Sequence, residues 1–289
     1  MFTNKVKMSS FLFINWDIDP VIFSIGQVKI QYYGLIFVTG LALCYYIIGR
    51  IYKREKIYTP DAMEKLFIYA ILGIFGGARL GHCLFYDFDY FSSHILEIFI
   101  PFRENANGVY EFIGYKGLAS HGGAIGLFIS MLLYSRKVHI PFSKIIDIIA
   151  ILAPLGGAFI RISNLMNSEI IGRPTDLPWA FVFTQVDDLP RHPSQLYESL
   201  SYFVIFIVAY FLYKYKSQLF KIGSYFYFGL SVSSIFLMRF LLEFTKENQV
   251  SFEDTLSFNM GQLLSIPFIL VGVILVIKNV VNVRRKAGT

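Results

Sequence analysis

Residues 161–179 read Arg-Ile-Ser-Asn-Leu-Met-Asn-Ser-Glu-Ile-Ile-Gly-Arg-Pro-Thr-Asp-Leu-Pro-Trp. They begin in the last five residues of an apolar run, residues 145–165, of roughly the 20 residues that a helix needs to cross a bilayer. The chain leaves this run through Arg161 and enters a polar loop that contains glycine and proline. Apolar packing alone does not explain such a change at membrane depth. The stretch therefore predicts a functional loop at the end of a membrane helix.

The composition agrees with a membrane protein. Of the 289 residues, 55% are hydrophobic, 18% are aromatic and only 16% are charged, whereas soluble domains carry about a quarter charged residues. The net charge of +6 favours contact with anionic lipid, and the sequence shows no basic and aromatic motif for nucleic acid. Cys44 and Cys83 lie inside apolar runs, so we expect helix packing and no disulfide.

Hydrophobic length predicts an all-α polytopic fold with seven membrane-spanning helices. The predicted spans are residues 32–49, 65–85, 117–135, 145–165, 199–213, 222–244 and 256–277, within a transmembrane catalytic domain at 32–277. Residues 1–31 form an external or interfacial segment without the apolar core of a cleaved signal peptide. Within that segment, Gly26-Gln27 separates two β-prone runs and is typical of a small hairpin.

Basic residues in the connections predict the orientation. They follow spans one, three, five and seven, at residues 50–56, 136–144, 214–221 and 278–286, and such residues are concentrated on the cytoplasmic side. This places the N-terminus outside and the basic tail, 278–289, in the cytoplasm. The long connections 87–116 and 167–193 then form an external, periplasmic head.

Ionisable groups inside spans are costly and mark functional sites. In this orientation all but one fall in the outer half of the membrane, namely Arg79, His82, His121, Arg161, Glu198, Arg239 and Glu243. Asp147, near the inner start of span four, is the exception. A proton relay would spread polar groups over the whole depth, so the clustering favours a site for a substrate in the outer leaflet.

Three of these groups have informative neighbours. Arg161 and Asn164 are spaced i,i+3 and project from one helix face. Arg161 has no acidic residue within a helical turn, and an unpaired arginine at the interface suits a phosphate-bearing ligand. Arg239 and Glu243 are spaced i,i+4, and a structural ion pair between them is the alternative to a functional role.

His121 and Ser194 also each allow a structural and a functional interpretation. His121 precedes Gly122-Gly123 at the start of a helix, where it is either a structural histidine or a catalytic base. No histidine has metal-ligand spacing, and no metal or other cofactor is expected. Ser194 lacks the Gly-x-Ser-x-Gly turn of a nucleophile, so we expect it to cap the helix that contains Glu198.

Along nearly its full length the sequence resembles the bacterial prolipoprotein diacylglyceryl transferases. The matching segments are residues 19–23, 33–34, 76–81, 120–123, 161–179, 191–198, 239–244 and 260–267. Residues 161–179 and the run His-Pro-Ser-Gln-Leu-Tyr-Glu at 192–198 are specific, whereas a single Gly-Gly pair means little.

The resemblance implies transfer of a diacylglyceryl group from phosphatidylglycerol to the lipobox cysteine in the signal peptide of a preprolipoprotein, in the bacterial inner membrane. It implies His121 as the base that deprotonates or orients the thiol, and Arg161 and Arg239 as phosphate ligands. The other implied substrate-binding residues are Tyr33, Arg79, Asn164, Glu169, Gly172, Glu198 and Glu243. At position 246, where the family often has arginine, this chain has Lys246. Lysine keeps the positive charge but lacks the forked guanidinium that binds phosphate through two hydrogen bonds.

Two other classes remain open from the residues alone. A lipid or solute transporter would also have several spans with glycines, but no inverted repeat is evident here and the inner half has few charges. A non-catalytic scaffold that binds signal peptides would tolerate changes at Arg161 and His121.

Overall fold

The computed structural model describes residues 13–26, 28–100, 102–105, 108–112, 117–216, 219–247 and 258–287. Eight α-helices lie within these ranges: α1 Tyr32–Arg54, α2 Pro60–Phe85, α3 Phe88–Ser93, α4 Ser120–Val138, α5 Phe142–Met166, α6 Ser194–Lys216, α7 Phe226–Leu242 and α8 Met260–Ala287. Two short 3₁₀ helices, Ile95–Ile98 and Glu243–Thr245, follow α3 and α7.

Six of the helices, α1, α2, α5, α6, α7 and α8, are long and apolar enough to cross a membrane. They confirm six of the predicted spans as helices of suitable length and composition. The third predicted span forms α4, which fails this test because it begins at Ser120-His121 and ends with Arg136 and Lys137. Whether α4 crosses the membrane stays a prediction at this point.

The helices of predicted spans two to six start three to five residues away from the predicted positions, at Pro60, Ser120, Phe142, Ser194 and Phe226. Helix α6, the fifth predicted span, begins at Ser194, earlier than the predicted start at 199. Helix α7, the sixth predicted span, begins at Phe226 and not at 222, because Gly223 and Tyr225 adopt positive φ angles of 95° and 63° that interrupt a helix. The predicted start of the seventh span, at 256, lies outside the described residues.

Short strands make the chain mostly helical and not all-α. The seven strands of the described chain are β1 Ile14–Trp16, β2 Val21–Ile25, β3 Val28–Gln31, β4 Phe102–Glu104, β5 Tyr110–Phe112, β6 Phe181–Phe183 and β7 Pro190–Arg191. Strands β2 and β3 form the predicted hairpin, with Gly26 at φ 61°, although Gln27 lies outside the described residues. Strands β4 and β5 form a second hairpin in the predicted external loop.

A third, unpredicted sheet joins distant parts of the chain. Strand β1 pairs in parallel with β6, with Ile14 opposite Phe181, and β6 pairs antiparallel with β7. The indole of Trp16 packs against Phe181 and donates a 3.0 Å hydrogen bond to the carbonyl of Leu165 at the end of α5. The sheet thereby holds the end of the helix from which residues 161–179 emerge.

Contacts divide the chain into two compact units, residues 49–146 and the remainder. In the smaller unit, α2 and α4 approach closely at glycines. A Cβ on Gly77 would lie 2.4 Å from the carbonyl oxygen of Gly122, and one on Gly126 would lie 2.1 Å from that of Gly73. Small residues allow this backbone contact between helices. An apolar groove of about 500 Å³ runs along the same helix pair.

In the larger unit, the hydrogen bonds of Asp147 account for the presence of a carboxylate inside a predicted span. The side chain is fully buried and accepts hydrogen bonds from the backbone N–H groups of Gly223, Tyr225 and Phe228, at 2.9, 3.0 and 2.9 Å. The first N–H groups of a helix have no partner inside that helix. Asp147 therefore supplies the N-terminal cap of α7 from another helix.

Candidate active site

Four charged side chains meet where α5 and α7 end and α6 begins. The guanidinium of Arg161 lies 2.8 Å (Nε to Oε2) from the carboxylate of Glu198. The ammonium of Lys246 lies 2.9 Å from Oε1 of Glu198 and 3.3 Å from Oε2 of Glu243. We call Arg161, Glu198, Lys246 and Glu243 the ionic cluster.

The ionic cluster is screened from solvent. The side chains of Glu198, Glu243 and Lys246 are 1%, 7% and 9% exposed, and that of Arg161 is 21% exposed. Charges in such surroundings remain ionised only when paired. Oε2 of Glu198 receives no directed hydrogen bond within the described residues, so its 2.8 Å contact with Nε of Arg161 is an ion pair with poor hydrogen-bond geometry.

The structure corrects one expectation about pairing and decides between two alternatives that the sequence left open. Arg161 is not unpaired, because its partner Glu198 comes from α6 and cannot be found by helical spacing within α5. Arg239 does not pair with Glu243, whose carboxylate contacts Lys246. Within the described chain, half-buried Arg239 has no acidic group within 4.0 Å.

The turn after α5 is held by side-chain amides. Nη1 of Arg161 donates to Oδ1 of Asn164 at 3.3 Å, and Nδ2 of Asn164 donates to Oε2 of Glu169 at 3.1 Å. The residues on either side of Glu169, Ser168 and Ile170, have φ angles of 52° and 57°. Non-glycine residues seldom adopt such angles, which are concentrated at functional sites.

Two side chains complete this turn. The phenol of Tyr33, at the start of α1, lies in the electrostatic field of Glu169 and Arg161. Gln195 is fully buried and its amide nitrogen donates to the carbonyl of Glu169. The sequence reasoning missed Gln195, although it lies in the specific run 192–198.

Gly172 lies in a tightly enclosed part of the loop. Its N–H donates to the carbonyl of His192 at 2.9 Å, and it forms a β-bridge with Lys246. A Cβ here would lie 2.5 Å from Cβ of His192 and 2.6 Å from Oγ of Ser194. Gly172 is therefore required by close backbone approach, and its neighbour across the bridge is a member of the ionic cluster.

The expected helix cap at Ser194 is wrong. Ser194 is the first residue of α6, and its Oγ lies 3.0 Å from Oγ1 of Thr245 in the 3₁₀ turn after α7. The hydroxyl thus joins the start of α6 to the turn between Glu243 and Lys246. It positions the ionic cluster and does not satisfy the helix's own N–H groups.

The loop between β6 and α6 has its own ion pairs. Buried Arg191 contacts Asp187, Glu247 and the carbonyl of Gly172. The hydrogen bond from Arg191 lowers the pKa of Asp187 below its usual value. Burial, aided by the charge of Arg173, lowers the pKa of His192, whose Nδ1 lies 3.3 Å from the hydroxyl of Tyr197.

The other two predicted site residues belong to the smaller unit. Arg79 is buried and donates to the carbonyls of Ile98 and Glu97 at 3.1 and 2.7 Å, so the structure gives it the task of holding the loop after α3. His121 lies in the first turn of α4, with its side chain exposed. Among the described residues no group of three His, Cys, Asp or Glu side chains is arranged to hold a metal.

The helices and the ionic cluster define a multi-pass membrane protein with a buried ionic site formed by α5, α6 and the end of α7. Residues 20–278 match the family described as prolipoprotein diacylglyceryl transferase. The chain belongs to this family.

Curated relatives cover almost the whole chain. A phosphatidylglycerol--prolipoprotein diacylglyceryl transferase of Bacteroides fragilis is 48% identical over 262 residues, which are 91% of this chain and 94% of the relative. The protein of that name from Chloroherpeton thalassium is 40% identical over 276 residues, 94% of this chain and 96% of the relative. A third, from Tolumonas auensis, is 39% identical over 264 residues, with coverages of 91% and 96%.

Proposed function

We propose that the chain transfers the diacylglyceryl group of phosphatidylglycerol to the lipobox cysteine thiol of prolipoproteins. The family match over residues 20–278 and relatives of that name that align over nine tenths of the chain support this activity. The structural observation that carries it is the buried ionic cluster beside Arg239, a cation with no acidic partner among the described residues. A transporter or scaffold has no comparable support.

The donor phosphate suits the two arginines. Guanidinium groups bind phosphate through paired hydrogen bonds. In the ionic cluster the charges of Arg161 and Lys246 balance those of Glu198 and Glu243, so that the positive charge of Arg239 is not used within the cluster. This charge favours an anionic headgroup and stabilises the phosphate as it leaves.

The acceptor thiol needs a base. A cysteine thiol with a pKa of about 8.5 is mostly protonated at neutral pH. His121 takes the thiol proton, and the sulfur forms a C–S bond with the glyceryl carbon. The C–O bond from that carbon to the phosphate breaks, its electron pair leaves with the oxygen, and glycerol phosphate departs. No group of the protein is bonded to the substrate at any point.

The remaining site residues bind or position the substrates. Tyr33, Asn164 and Glu169 present hydrogen-bonding groups in the turn next to Arg161. Glu198 and Glu243 hold the cations, and Gly172 keeps the loop close to them. Arg79 acts through the loop whose carbonyls it binds and is the least direct of the family-implied residues.

Seven spans with the N-terminus outside are part of the proposal. Strands β1 and β6 share one sheet and so lie on the same side of the membrane, which requires an even number of crossings between them. Helices α1, α2 and α5 supply three, so α4 is the fourth. With the basic connections in the cytoplasm, the loop 167–193 faces outward and the site opens to the outer leaflet.

Mass spectrometry tests the activity directly. Purified protein in detergent is incubated with phosphatidylglycerol and a lipobox peptide, and the mass of the peptide is measured. A gain of one diacylglyceryl group, absent with a Cys→Ser peptide, is expected. Folded protein that produces no such gain would refute the proposed reaction.

Replacing Arg161 tests the phosphate site. We expect Arg161→Ala to abolish transfer while the protein remains inserted and folded, because both the cation and its contact with Glu198 are lost. Exposed Arg136, outside the proposed site, supplies the matched control Arg136→Ala, which should transfer at the wild-type rate. Wild-type turnover by Arg161→Ala would remove Arg161 from the mechanism.

His121→Gln tests the base. Loss of a positioned general base typically costs 10²–10⁴-fold, so we expect severe impairment at neutral pH and partial recovery at higher pH, where the thiol ionises unaided. His139→Asn is the control, because His139 has φ 56° and asparagine tolerates that conformation. Near-normal rates for His121→Gln would assign proton removal to another group.

A further inference from the structure

Lys246 has an unusual environment for a lysine. The whole residue is 7% exposed, and it is the one buried lysine of the described residues. Its ammonium contacts two carboxylates, Glu198 at 2.9 Å and Glu243 at 3.3 Å. Buried lysines require such compensation because the charged form is otherwise strongly disfavoured.

The local backbone brings Lys246 to this place. Helix α7 ends at Leu242, and a 3₁₀ turn, Glu243–Thr245, follows. The backbone of Lys246 then turns extended and bridges Gly172, while the carbonyl of Lys246 accepts a bond from Arg173 at 3.2 Å. The ammonium is thus fixed by the same loop that carries the other site residues.

The position of Lys246 has a consequence for Arg239. Glu243 follows Arg239 by four residues, the spacing at which side chains on a helix meet. Yet Glu243 pairs with Lys246, and Arg239 has no acidic group within 4.0 Å among the described residues. Without the ammonium of Lys246, the cation that helical spacing offers to the buried carboxylate of Glu243 is Arg239.

From this arrangement we infer that Lys246 is a positioning residue that keeps Glu243 away from Arg239, and so leaves the guanidinium of Arg239 available to an anionic phosphate. Lys246 itself does not touch the substrate. Lys246 also shares the carboxylate of Glu198 with Arg161, so that Arg161 is not the sole cation that compensates the charge of Glu198. The inference rests on the proposed function only in naming phosphatidylglycerol as the source of the phosphate.

A double-mutant cycle tests the inference by binding and by turnover. Equilibrium binding of a fluorescent phosphatidylglycerol in detergent gives Kd without any need for catalysis, and the peptide assay gives KM for the lipid. The four proteins are wild type, Lys246→Met, Glu243→Gln and the double variant. Lys246→Arg tests whether charge suffices, and Lys221→Met at an exposed site is the control for loss of a lysine.

We expect Lys246→Met to raise Kd and KM about tenfold or more, as for loss of one charged contact. In the Glu243→Gln background the same substitution should have little further effect, because no carboxylate remains to capture Arg239. Lys246→Arg and Lys221→Met should bind the lipid within about threefold of wild type.

Two results would overturn the inference. One is an equal rise in Kd from Lys246→Met in both backgrounds. The other is an unchanged Kd with a lower kcat that follows the folded fraction, as expected of a purely structural role. Lys246→Gln replaces Lys246→Met in the cycle if the methionine variant does not fold. Failure of wild type to modify the peptide would refute the proposed function, while the Kd cycle would still decide the role of Lys246.

Discussion

Replacing Gly172 by alanine should separate the geometry of the site from the stability of the protein. The added Cβ would lie 2.5 Å from Cβ of His192, about 0.9 Å short of the 3.4 Å at which ordinary van der Waals contact begins. The backbone φ of Gly172 is not in the positive range, so the strain comes from this contact and not from the residue's own conformation. Either the 192–194 segment or the strand bridged to Lys246 must move.

The expected sizes of the two effects differ. Overpacking costs about 1–3 kcal/mol, which lowers the melting temperature by roughly 2–10 °C in a protein of this size. A misplacement approaching 1 Å of the groups that position substrate can reduce turnover by about 10²-fold. We therefore expect Gly172→Ala to be folded at the assay temperature and to lose about two orders of magnitude in kcat/KM.

The assay is peptide lipidation at a temperature well below the melting transition measured on the same sample. The control is Gly76→Ala, because a Cβ on Gly76 meets no atom within 4 Å, and alanine should leave both rate and melting temperature near wild type. A Gly172→Ala rate within about threefold of wild type would refute the reasoning that a 1 Å shift matters here. So would a loss of rate explained entirely by unfolding.

Two further predictions concern stability. Asp147→Ala removes the acceptor of the N–H groups of Gly223, Tyr225 and Phe228 at the start of α7, so we expect destabilisation by roughly 1–3 kcal/mol; thermal unfolding in detergent, with exposed Asp61→Ala as control, would contradict this if both variants melted alike. Because the pKa of His192 is lowered in the folded state, its contribution to stability is complete above about pH 6.5 and is lost as the pH falls through the folded pKa. Between about pH 7.5 and about pH 5.5 the melting temperature should therefore fall less in His192→Asn than in wild type. Equal falls in the two proteins would contradict the direction of the pKa shift.

Hydrophobic length was sufficient to locate the long helices, because a helix that crosses a bilayer needs an apolar run of about 20 residues, which few other structures contain. It also led to one ambiguous case. Helix α4 is glycine-rich and packs its backbone against α2, so its sequence is less apolar than that of a helix surrounded by lipid. The short strands were mostly beyond prediction, since β6 and β7 contain only three and two residues and owe their conformation to partners.

The site was predicted by residue type and not by pairing. The concentration of costly groups pointed to Arg161, Glu198, Arg239 and Glu243, because ionisable residues in spans need a reason. Helical spacing identified neighbours only within one helix, so it missed the contact between Arg161 and Glu198 and left open an ion pair between Arg239 and Glu243 that the structure replaces with one between Lys246 and Glu243. The buried position of Lys246 was equally hidden, since it depends on a 3₁₀ turn and a β-bridge.

The parallel pairing of β1 with β6 also sets the order in which the protein can be made. Ile14 is synthesised 167 residues before its partner Phe181. During this interval α1, α2, α4 and α5 are translated while β1 lacks its partner strand β6. The sheet that holds the end of α5 can close only after Arg191 has been translated. Translation thus completes the first five helices, α1 to α5, before the sheet of β1, β6 and β7 can form, and we expect truncated chains that end before β6 to be recognised as unfinished by quality-control proteases.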